Sequence, residues 1–566
     1  MNILWVSILN NKRGCRIYQN NERVGRMPVT VYCRIYHIVF LILFFMIESV
    51  HAVEHRIVPH PKSVESKDVF FEYETGEVHV PLFMKKMLQE EFQYLGAQIQ
   101  VGNLQKQDLL FIWGDVDIPL LYSRLKGIED HPDSYVLEVS SSGIGVVAEN
   151  QTGLFHGVQS VLQLMEQSPG KIPACSILDW PDFEFRGFHT VLRPADAFSL
   201  NTVEEMIPVY EWMIRRLARY KYTSLCLSIK GTLSLESVPD IPMGPWTADH
   251  VRHLVQFARD RGIEAFPEIK SAGKIFFGLN DTELKPVTHL LEPKTYIGQL
   301  DYQAQYHEGY KKRAEALEQE QRALSDMKNV GPGLSTDFKL GHPEVESLLI
   351  KIIDEVYDIF EQPAYFHLGV DENFYVGISQ DAVDRGPLLA KLINRLATHL
   401  KEKGCKVIMF DDMLVNHEQF PFFFEAHGGP PLNTWTAVKT LDRDIIMACW
   451  HYGYAVAGHY PDRYPMVEWL ANQGFEVIAV PWFKQDNILN LTSEVSRLNG
   501  LGVMGSAWAI HRSWYAARGG EVPLNVEDRR ELSVFSTTAE AFWAPETANQ
   551  TISEYDQEVW EKRWLK

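Results

Sequence analysis

Two adjacent carboxylates, Asp371 and Glu372, are the residues of this sequence best placed to do chemistry. They follow a continuous apolar run and complete the motif His-x-Gly-x-Asp-Glu, which begins at His367. A buried strand that ends in this way delivers both carboxylates to one edge of a sheet or barrel. Retaining cleavage of a glycosidic bond normally needs a proton donor and a nucleophile about 5 Å apart. The pair therefore predicts a retaining glycoside-hydrolase site.

The adjacency of the two carboxylates narrows the mechanism. Neighbouring residues on one strand point in different directions, so Asp371 and Glu372 are poorly placed as a facing acid and nucleophile. They suit a substrate-assisted mechanism, which is a known exception to the two-carboxylate rule. Glu372 would protonate the leaving oxygen while Asp371 holds the 2-acetamido group whose carbonyl oxygen attacks the anomeric carbon. The alternative is a conventional mechanism with Glu268 or Asp411 as nucleophile.

Further polar and aromatic side chains follow the other apolar runs of the second half of the chain. In parallel barrels the active site lies at the carboxyl ends of the strands. Indole rings there can stack on apolar sugar faces while polar groups bind hydroxyls. We therefore expect a sugar-sized cavity whose substrate-binding residues are Arg193, Glu268, Lys274, His367, Asp411, Asp412, Trp450, Trp482 and Trp508. Lys230 and His451 end two of the same runs.

The elements that must position these residues alternate between strand and helix. Eight short apolar runs separated by helical stretches predict a (β/α)8 TIM barrel of the α/β class, and a doubly wound sheet is the alternative. The runs cover residues 187–192, 224–229, 264–269, 364–370, 406–410, 445–450, 476–482 and 502–508. We predict a smaller α/β domain over residues 53–180, the barrel over 181–566, and a solvated helical insertion near 303–328.

The segment His-Leu-Gly-Val-Asp-Glu resembles the His-x-Gly-Gly-Asp-Glu signature of family 20 glycoside hydrolases, the β-N-acetylhexosaminidases. Similar motifs occur in the family's order over most of the chain: 133–137, 153–160, 172–173, 185–189, 261–269 and 539–543. The resemblance implies that Asp371 orients the acetamido group and that Glu372 is the general acid and then the base. It also implies a wall of Trp450, Trp482 and Trp508, with Arg193 near the sugar hydroxyls.

Several residues depart from the family pattern. Val370 replaces the second glycine, and the loop usually written Asp-x-Pro-Gly-His reads Lys-Ser-Ala-Gly-Lys, ending at Lys274. Lys230 stands where the second strand normally ends in acids, and Ile510 replaces the acid of Trp-x-Glu. Lys274 would donate a charged hydrogen bond to Glu372 and lower its pKa. A catalytically weakened relative that binds aminosugars is therefore a second hypothesis.

The composition is globular and acidic, with 566 residues, 46% hydrophobic residues and a formal net charge of −20. A nucleic-acid partner is excluded, because phosphate binding needs a basic face. No cysteine and histidine spacing indicates a zinc site, and no metal or cofactor is expected. The expected partner is a glycan or glycoconjugate, and a homodimer is possible. Cys175, Cys226, Cys405 and Cys449 could pair in an oxidising compartment or remain free.

The first 52 residues have the layout of a signal peptide. Basic residues precede an apolar run over 38–47, which is too short to span a bilayer comfortably. Cleavage is expected after Ala52, and Met27 is a possible start. An uncleaved signal anchor is the alternative. Sequons at Asn150, Asn280, Asn490 and Asn549 fit a secretory route that ends outside the cell or in the lysosome.

Overall fold

The computed structural model describes residues 56–104, 109–195, 200–276, 278–293, 334–373, 376, 385–420, 423, 425–429, 432–452, 463–508 and 526–548. They belong to one compact unit that begins at His55. The signal peptide predicted over 1–52, the insertion near 303–328 and Ile510 lie outside them. Within these ranges, no helix combines the length and the apolar character that crossing a membrane requires.

The first part of the unit is a mixed sheet with helices packed against it. Its strands are β1 (Ser63–Glu72), β2 (Thr75–Val80), β3 (Gln98–Asn103), β4 (Leu110–Gly114), β5 (Tyr135–Val139), β6 (Gly143–Ala148) and β7 (Lys171–Asp179). Its helices are α1 (Leu82–Tyr94), α2 (Ile118–Leu125) and α3 (Gln151–Gln167). The spatial order is β1-β7-β5-β6-β4-β2-β3, and only β2 and β3 run parallel to each other.

The second part is a closed barrel of eight parallel strands. These are β8 (Phe185–Val191), β9 (Ser224–Ser228), β10 (Glu264–Glu268), β13 (Tyr365–His367), β14 (Lys406–Phe410), β15 (Ile446–Cys449), β16 (Val477–Ala479) and β17 (Gly502–Ala507). An antiparallel ribbon of β11 (Leu291–Pro293) and β12 (Leu334–Phe338) lies between β10 and β13 in sequence. The predicted (β/α)8 barrel is confirmed, and the doubly wound alternative is wrong because β8 closes on both β9 and β17.

Helices follow the strands around the barrel. They are α4 (Val203–Arg219), α5 (Ala248–Arg259), α6 (Pro343–Ile359), α7 (Gly386–Glu402), α8 (Pro465–Asn472), α9 (Gln485–Arg497) and α10 (Val526–Trp543). Three 3₁₀ helices span Lys285–Leu290, Asp412–Leu414 and Thr434–Lys439. The stripe of buried residues on α6, from Val345 to Ile359, shows why this segment is helical: its apolar residues recur every three or four positions. Pro343 starts that helix, where its missing N–H costs nothing.

Two apolar cores hold the barrel. One lies between the strands and the surrounding helices, and the other fills the barrel interior with side chains such as Phe185, Phe266, Phe410 and Met504. A filled interior leaves no channel, so the carboxyl ends of the strands provide the concave surface. The four cysteines named above are buried free thiols and form no disulfide with one another.

Candidate active site

The chain turns sharply where β13 ends, and this turn presents the two carboxylates. Three backbone φ angles after the strand are positive: 68° at Gly369, 75° at Val370 and 49° at Glu372. Gly369 is required here, since a Cβ would lie 2.7 Å from the carbonyl oxygen of Ile269. The strand is therefore shorter than the apolar run suggests, and after the turn Asp371 and Glu372 pair with different lysines.

Val370 occupies a conformation that β-branched residues rarely adopt. Backbone strain of this kind costs about 1–3 kcal/mol. The side chain of Val370 is buried, with 1% of the residue exposed. Burying a valine side chain contributes about 1.5–3 kcal/mol, which offsets the strain. The valine is thus tolerated where the family pattern has glycine, because burial compensates for the unfavourable φ angle.

Asp371 is bound by a lysine from the neighbouring strand end. Lys270 Nζ donates a hydrogen bond of 2.6 Å to Asp371 Oδ1 and forms a second ion pair with Glu268. Both Asp371 and Lys270 are buried. Burial alone would raise the pKa of Asp371, but the charges of Lys270 and Lys274 hold it well below its usual range. Asp371 is therefore a permanent negative charge at the end of β13.

Glu372 is more accessible and is paired with a different lysine. Lys274 Nζ donates a 3.1 Å hydrogen bond to Glu372 Oε2, and 24% of the glutamate side chain is exposed. Burial would raise the pKa of Glu372, but the charges of Lys274 and His427 outweigh burial and lower it to about 2. The effect predicted for Lys274 from the sequence is present. Glu372 is thus ionised at neutral pH in the absence of substrate.

Asp412 fixes the main chain of Glu372 from the other side. Asp412 Oδ2 accepts a 2.8 Å hydrogen bond from the backbone N–H of Glu372 and lies 2.8 Å from His427 Nδ1. Its other oxygen accepts a 3.0 Å hydrogen bond from Trp450 Nε1. Burial would lower the pKa of His427, but Asp412 raises it above its usual value. This buried pair holds both the positive φ of Glu372 and the orientation of the Trp450 ring.

Aromatic rings line one side of the rim. The Tyr452 ring centroid lies 5.4 Å from that of Trp450 and 5.4 Å from that of Trp482. Trp508 Nε1 donates a hydrogen bond to the Tyr452 hydroxyl. Arg193 donates from its guanidinium to the carbonyl oxygen of Trp508. The three tryptophans predicted from the sequence are therefore brought together, and Tyr452 connects them.

Four of the expected substrate-binding residues, Asp412 and three others, lie below this rim. Glu268, His367 and Asp411 have no exposed surface. Glu268 Oε2 lies 2.8 Å from His189 Nε2, and Asp411 Oδ2 lies 2.7 Å from His451 Nε2. His367 Nδ1 accepts a hydrogen bond from the backbone N–H of Gly369. In this position they support the turn and the neighbouring strands, and a substrate meets other side chains first.

Sequence reasoning missed several residues of the site. Lys270 was seen only as part of an altered loop, and His189 only as part of a first-strand motif. Tyr452 directly follows Trp450 and His451, so its place at a strand end was a usable signal. His427 gives no such signal, because it lies in the irregular segment after β14 and reaches Asp412 only through the fold.

Comparison with known families gives two matches that follow each other along the chain. Residues 54–180 match domain 2 of glycosyl hydrolase family 20, and residues 221–481 match the catalytic domain of the same family. These matches include β9 to β16 and both carboxylates. The resemblance inferred from the motifs is confirmed.

Curated relatives are distant. A β-hexosaminidase of Porphyromonas gingivalis is 26% identical over 38% of this chain and 30% of the relative. A lacto-N-biosidase of Bifidobacterium bifidum is 22% identical over 70% of this chain and 30% of the relative. The matched part thus spans about three tenths of the length of either protein.

Solved structures share the fold. An exo-β-N-acetylglucosaminidase from Vibrio harveyi, in complex with N-acetylglucosamine, has a TM-score of 0.57 at 16% identity, covering 90% of this chain and 75% of the other. A β-N-acetylhexosaminidase from Bacteroides fragilis has a TM-score of 0.56 at 15% identity, covering 90% and 96%. At such low identity the likeness concerns the architecture.

Proposed function

Because this chain belongs to glycoside hydrolase family 20, we propose that it is a β-N-acetylhexosaminidase that removes terminal β-linked N-acetylglucosamine or N-acetylgalactosamine. The observation that carries the proposal is the difference between the two carboxylates at the end of β13. Asp371 is buried and forms an ion pair with Lys270, whereas Glu372 is partly exposed and forms an ion pair with Lys274. Two carboxylates in such different surroundings suit two different roles.

The proposed reaction is substrate-assisted. The carbonyl oxygen of the sugar's 2-acetamido group attacks the anomeric carbon, and the bond to the leaving oxygen breaks as Glu372 gives it a proton. The oxazolinium ring that forms carries positive charge, which ionised Asp371 stabilises. Glu372, now a carboxylate, then takes a proton from a water molecule, whose oxygen attacks the same carbon and reopens the ring.

The aromatic wall, formed by Trp450, Tyr452, Trp482 and Trp508, binds the apolar parts of the substrate. Trp482, Trp508 and Tyr452 are partly exposed, whereas Trp450 is buried behind them with 9% exposure. Indole and phenol rings at these positions can cover the apolar face of a sugar and the methyl group of its acetamide. We assign sugar stacking to Trp482 and Trp508, and the support of that wall to Trp450.

The conventional two-carboxylate mechanism has less support. Glu268 and Asp411, the alternative nucleophiles, are fully buried and already paired with His189 and His451. A nucleophile must reach the anomeric carbon, and neither carboxylate faces solvent. The arrangement therefore favours the acetamido group as the nucleophile.

A second candidate is an aminosugar-binding protein with weak turnover. The Lys274–Glu372 ion pair favours it, because a proton donor with a pKa of about 2 is rarely protonated at neutral pH. Both candidate functions bind the same aminosugar, but only the first includes efficient cleavage of the glycosidic bond.

We also propose a secretory route for the protein. The apolar run over 38–47 supports a signal peptide, and Asn280 is an exposed sequon residue. Asn150 is less suited to glycosylation, because its side chain caps α3 and donates a 3.0 Å hydrogen bond to Asp133. Peptide mapping of the secreted protein after endoglycosidase treatment would locate the modified asparagine.

The test compares a chromogenic N-acetyl-β-glucosaminide with the matching β-glucoside. The wild type should cleave only the acetamido sugar, and Glu372→Gln and Asp371→Asn should both lose that activity. Glu402→Gln, an exposed change at the end of α7, is the matched control and should keep it. Cleavage of the plain glucoside would contradict the acetamido mechanism, because that sugar has no acetamido group to act as the nucleophile. Sugar binding without turnover would establish the second candidate instead.

A further inference from the structure

Glu372 depends on a neighbouring side chain for its conformation. Its φ of 49° lies in the left-handed region, where a residue with a side chain is strained. Such a conformation persists only where the surrounding structure holds it. The backbone N–H of Glu372 donates a 2.8 Å hydrogen bond to Asp412 Oδ2. The position of the Glu372 carboxylate therefore depends on Asp412.

Asp412 depends in turn on His427. The aspartate has no exposed surface, and burial raises its pKa. It accepts hydrogen bonds from the Glu372 N–H and from Trp450 Nε1, and such bonds are strongest when the acceptor is ionised. His427 Nδ1 lies 2.8 Å from Asp412 Oδ2, so an imidazolium there keeps the buried carboxylate charged.

The fold fixes His427 against Asp412. The backbone N–H of His427 donates a 3.0 Å hydrogen bond to the carbonyl oxygen of Asp412, and Gly428 N–H donates one of 2.8 Å to the carbonyl oxygen of Val415. A Cβ at Gly428 would lie 2.5 Å from the carbonyl oxygen of Met413. The two residues are thus joined through both the main chain and the side chains. The imidazole cannot leave Asp412 without moving this segment.

The charges around His427 favour its cationic form. Burial lowers the pKa of His427, whereas Asp412, Glu372 and Glu425 raise it, and the three carboxylates prevail. The other titratable neighbour is His417: burial lowers its pKa, and the charge of His427 adds to that effect. His427 is therefore the positive member of this group.

From these contacts we propose that His427 is a positioning residue of the reaction: it holds Asp412, and Asp412 holds Glu372 in the orientation that proton transfer to the leaving oxygen requires. This role rests on the proposed function, in which Glu372 is the proton donor. His427 is buried and acts through Asp412, without touching the substrate. A displacement of about 1 Å in a catalytic group can cost about a hundredfold in rate.

The first experiment measures kcat and KM of two variants on the chromogenic N-acetyl-β-glucosaminide. His427→Leu removes the donor to Asp412 and should lower kcat about tenfold to a hundredfold, with less than about a threefold change in KM. His427→Asn keeps an N–H donor beside Asp412 and should recover most of the lost kcat.

The pH profile gives a readout that a merely structural role would not move. Burial raises the pKa of Glu372, and Lys274 and His427 lower it. Both His427 variants lack the positive charge, so the pH at which kcat/KM begins to fall should move upward. The shift should be smaller than in Lys274→Met, because Lys274 has the larger influence on Glu372.

The matched control is His399→Leu. His399 Nε2 lies 2.7 Å from Asp354 Oδ1, between α7 and α6. The substitution removes a histidine–aspartate pair that lies on the outer helices, and should leave kcat, KM and the pH profile unchanged. Thermal unfolding of every variant allows the activity to be expressed per folded molecule.

A double-mutant cycle tests whether His427 acts through Asp412. Asp412→Asn should lower kcat by itself, and adding His427→Leu should lower it no further. If the two losses multiply, or if His427→Leu cleaves the substrate as fast as the wild type, the positioning role is overturned and the proposed function stands. Should His427→Leu fail to fold, His427→Asn decides: an upward shift of the profile supports the role and an unchanged profile overturns it.

Absence of turnover by the wild type would mean that the proposed function fails. Crystal structures of the wild type, His427→Leu and His427→Asn then decide the role of His427. A Glu372 carboxylate displaced by about 1 Å or more in the leucine variant, and restored in the asparagine variant, would support it. An unmoved Glu372 in His427→Leu would overturn it.

Discussion

Glu91 on α1 and Glu372 after β13 are two glutamates with the same pKa of about 2 and very different surroundings. Glu91 is 1% exposed and receives hydrogen bonds from Arg215, Arg219 and Arg261. Burial would raise its pKa, and the three arginines overcome that effect. Glu372 is partly exposed, has a φ of 49° and is paired with a single lysine through 3.1 Å.

The comparison shows that a shifted pKa does not by itself mark a catalytic group. The Glu91 cluster joins the first sheet region to the barrel helices, since its arginines come from α4 and from the end of α5. Glu91, Arg219 and Arg261 are buried, with at most 2% of each side chain exposed, and the cluster serves packing. At Glu372 the shift coincides with exposure, a positive φ and an aromatic wall, and this combination indicates chemistry.

The largest expected effect is on the activity of Glu372→Gln. Loss of a general acid lowers kcat by about 10²–10⁴-fold. The unfolding midpoint should fall less than in Glu91→Gln, because Glu372 is partly exposed and solvent screens its ion pair with Lys274. Steady-state kinetics and thermal unfolding monitored by circular dichroism would measure both. A large loss of stability would mean that Glu372 belongs with Glu91 as a packing residue.

Glu91→Gln should show the reverse pattern. Removing one partner of a buried ion cluster costs about 3–5 kcal/mol of unfolding free energy, while the activity per folded molecule stays unchanged. The folded pKa near 2 lies below the ordinary 4.5. The wild-type contribution is therefore present above about pH 4.5 and is lost as the pH falls towards 2. Urea unfolding at pH 7 and pH 3 would test this: the difference between variant and wild type should shrink at the lower pH.

Lys274→Met should shift the pH profile of kcat/KM and should cost less unfolding free energy than Glu91→Gln. Without the lysine charge, the pKa of Glu372 rises from about 2 towards its ordinary 4.5. Because the proposed acid must be protonated, the pH at which kcat/KM begins to fall should move upward by about one unit or more. Lys274→Arg keeps the charge and should keep the wild-type profile. An unchanged profile in the methionine variant would mean that Lys274 does not control the proton.

The smallest effect concerns the strain at Val370. Val370→Gly and Val407→Gly each remove a side chain from a position that is 1% exposed, but Val407 lies within strand β14. Only the first substitution also relieves a positive φ of 75°. We expect Val370→Gly to cost about 1–3 kcal/mol less unfolding free energy than Val407→Gly. Equal costs in chemical denaturation would show that the turn after β13 is not strained.

Most of the fold could be predicted from the sequence. Most barrel strands are short, largely apolar runs that are buried on both faces, so their pattern is local and readable, as at 406–410, where prediction and structure coincide. The strand before the carboxylates shows the limit. The run 364–370 reads as one strand, but β13 ends at His367 because the close approach to Ile269 requires the positive φ of Gly369. That approach is a tertiary contact and has no local signal.

The sequence by itself determined the barrel, the family and the rim position of Asp371 and Glu372, since apolar periodicity and short motifs are properties of neighbouring residues. Of the groups that these carboxylates meet, the sequence indicated only Lys274, which pairs with Glu372. The tertiary structure decided the others: Lys270 pairs with Asp371 and His427 with Asp412, and neither pairing follows from spacing along the chain. The electrostatic environment of a buried group depends on residues that are distant in sequence, and barrel closure brings them within 2.6 to 3.1 Å.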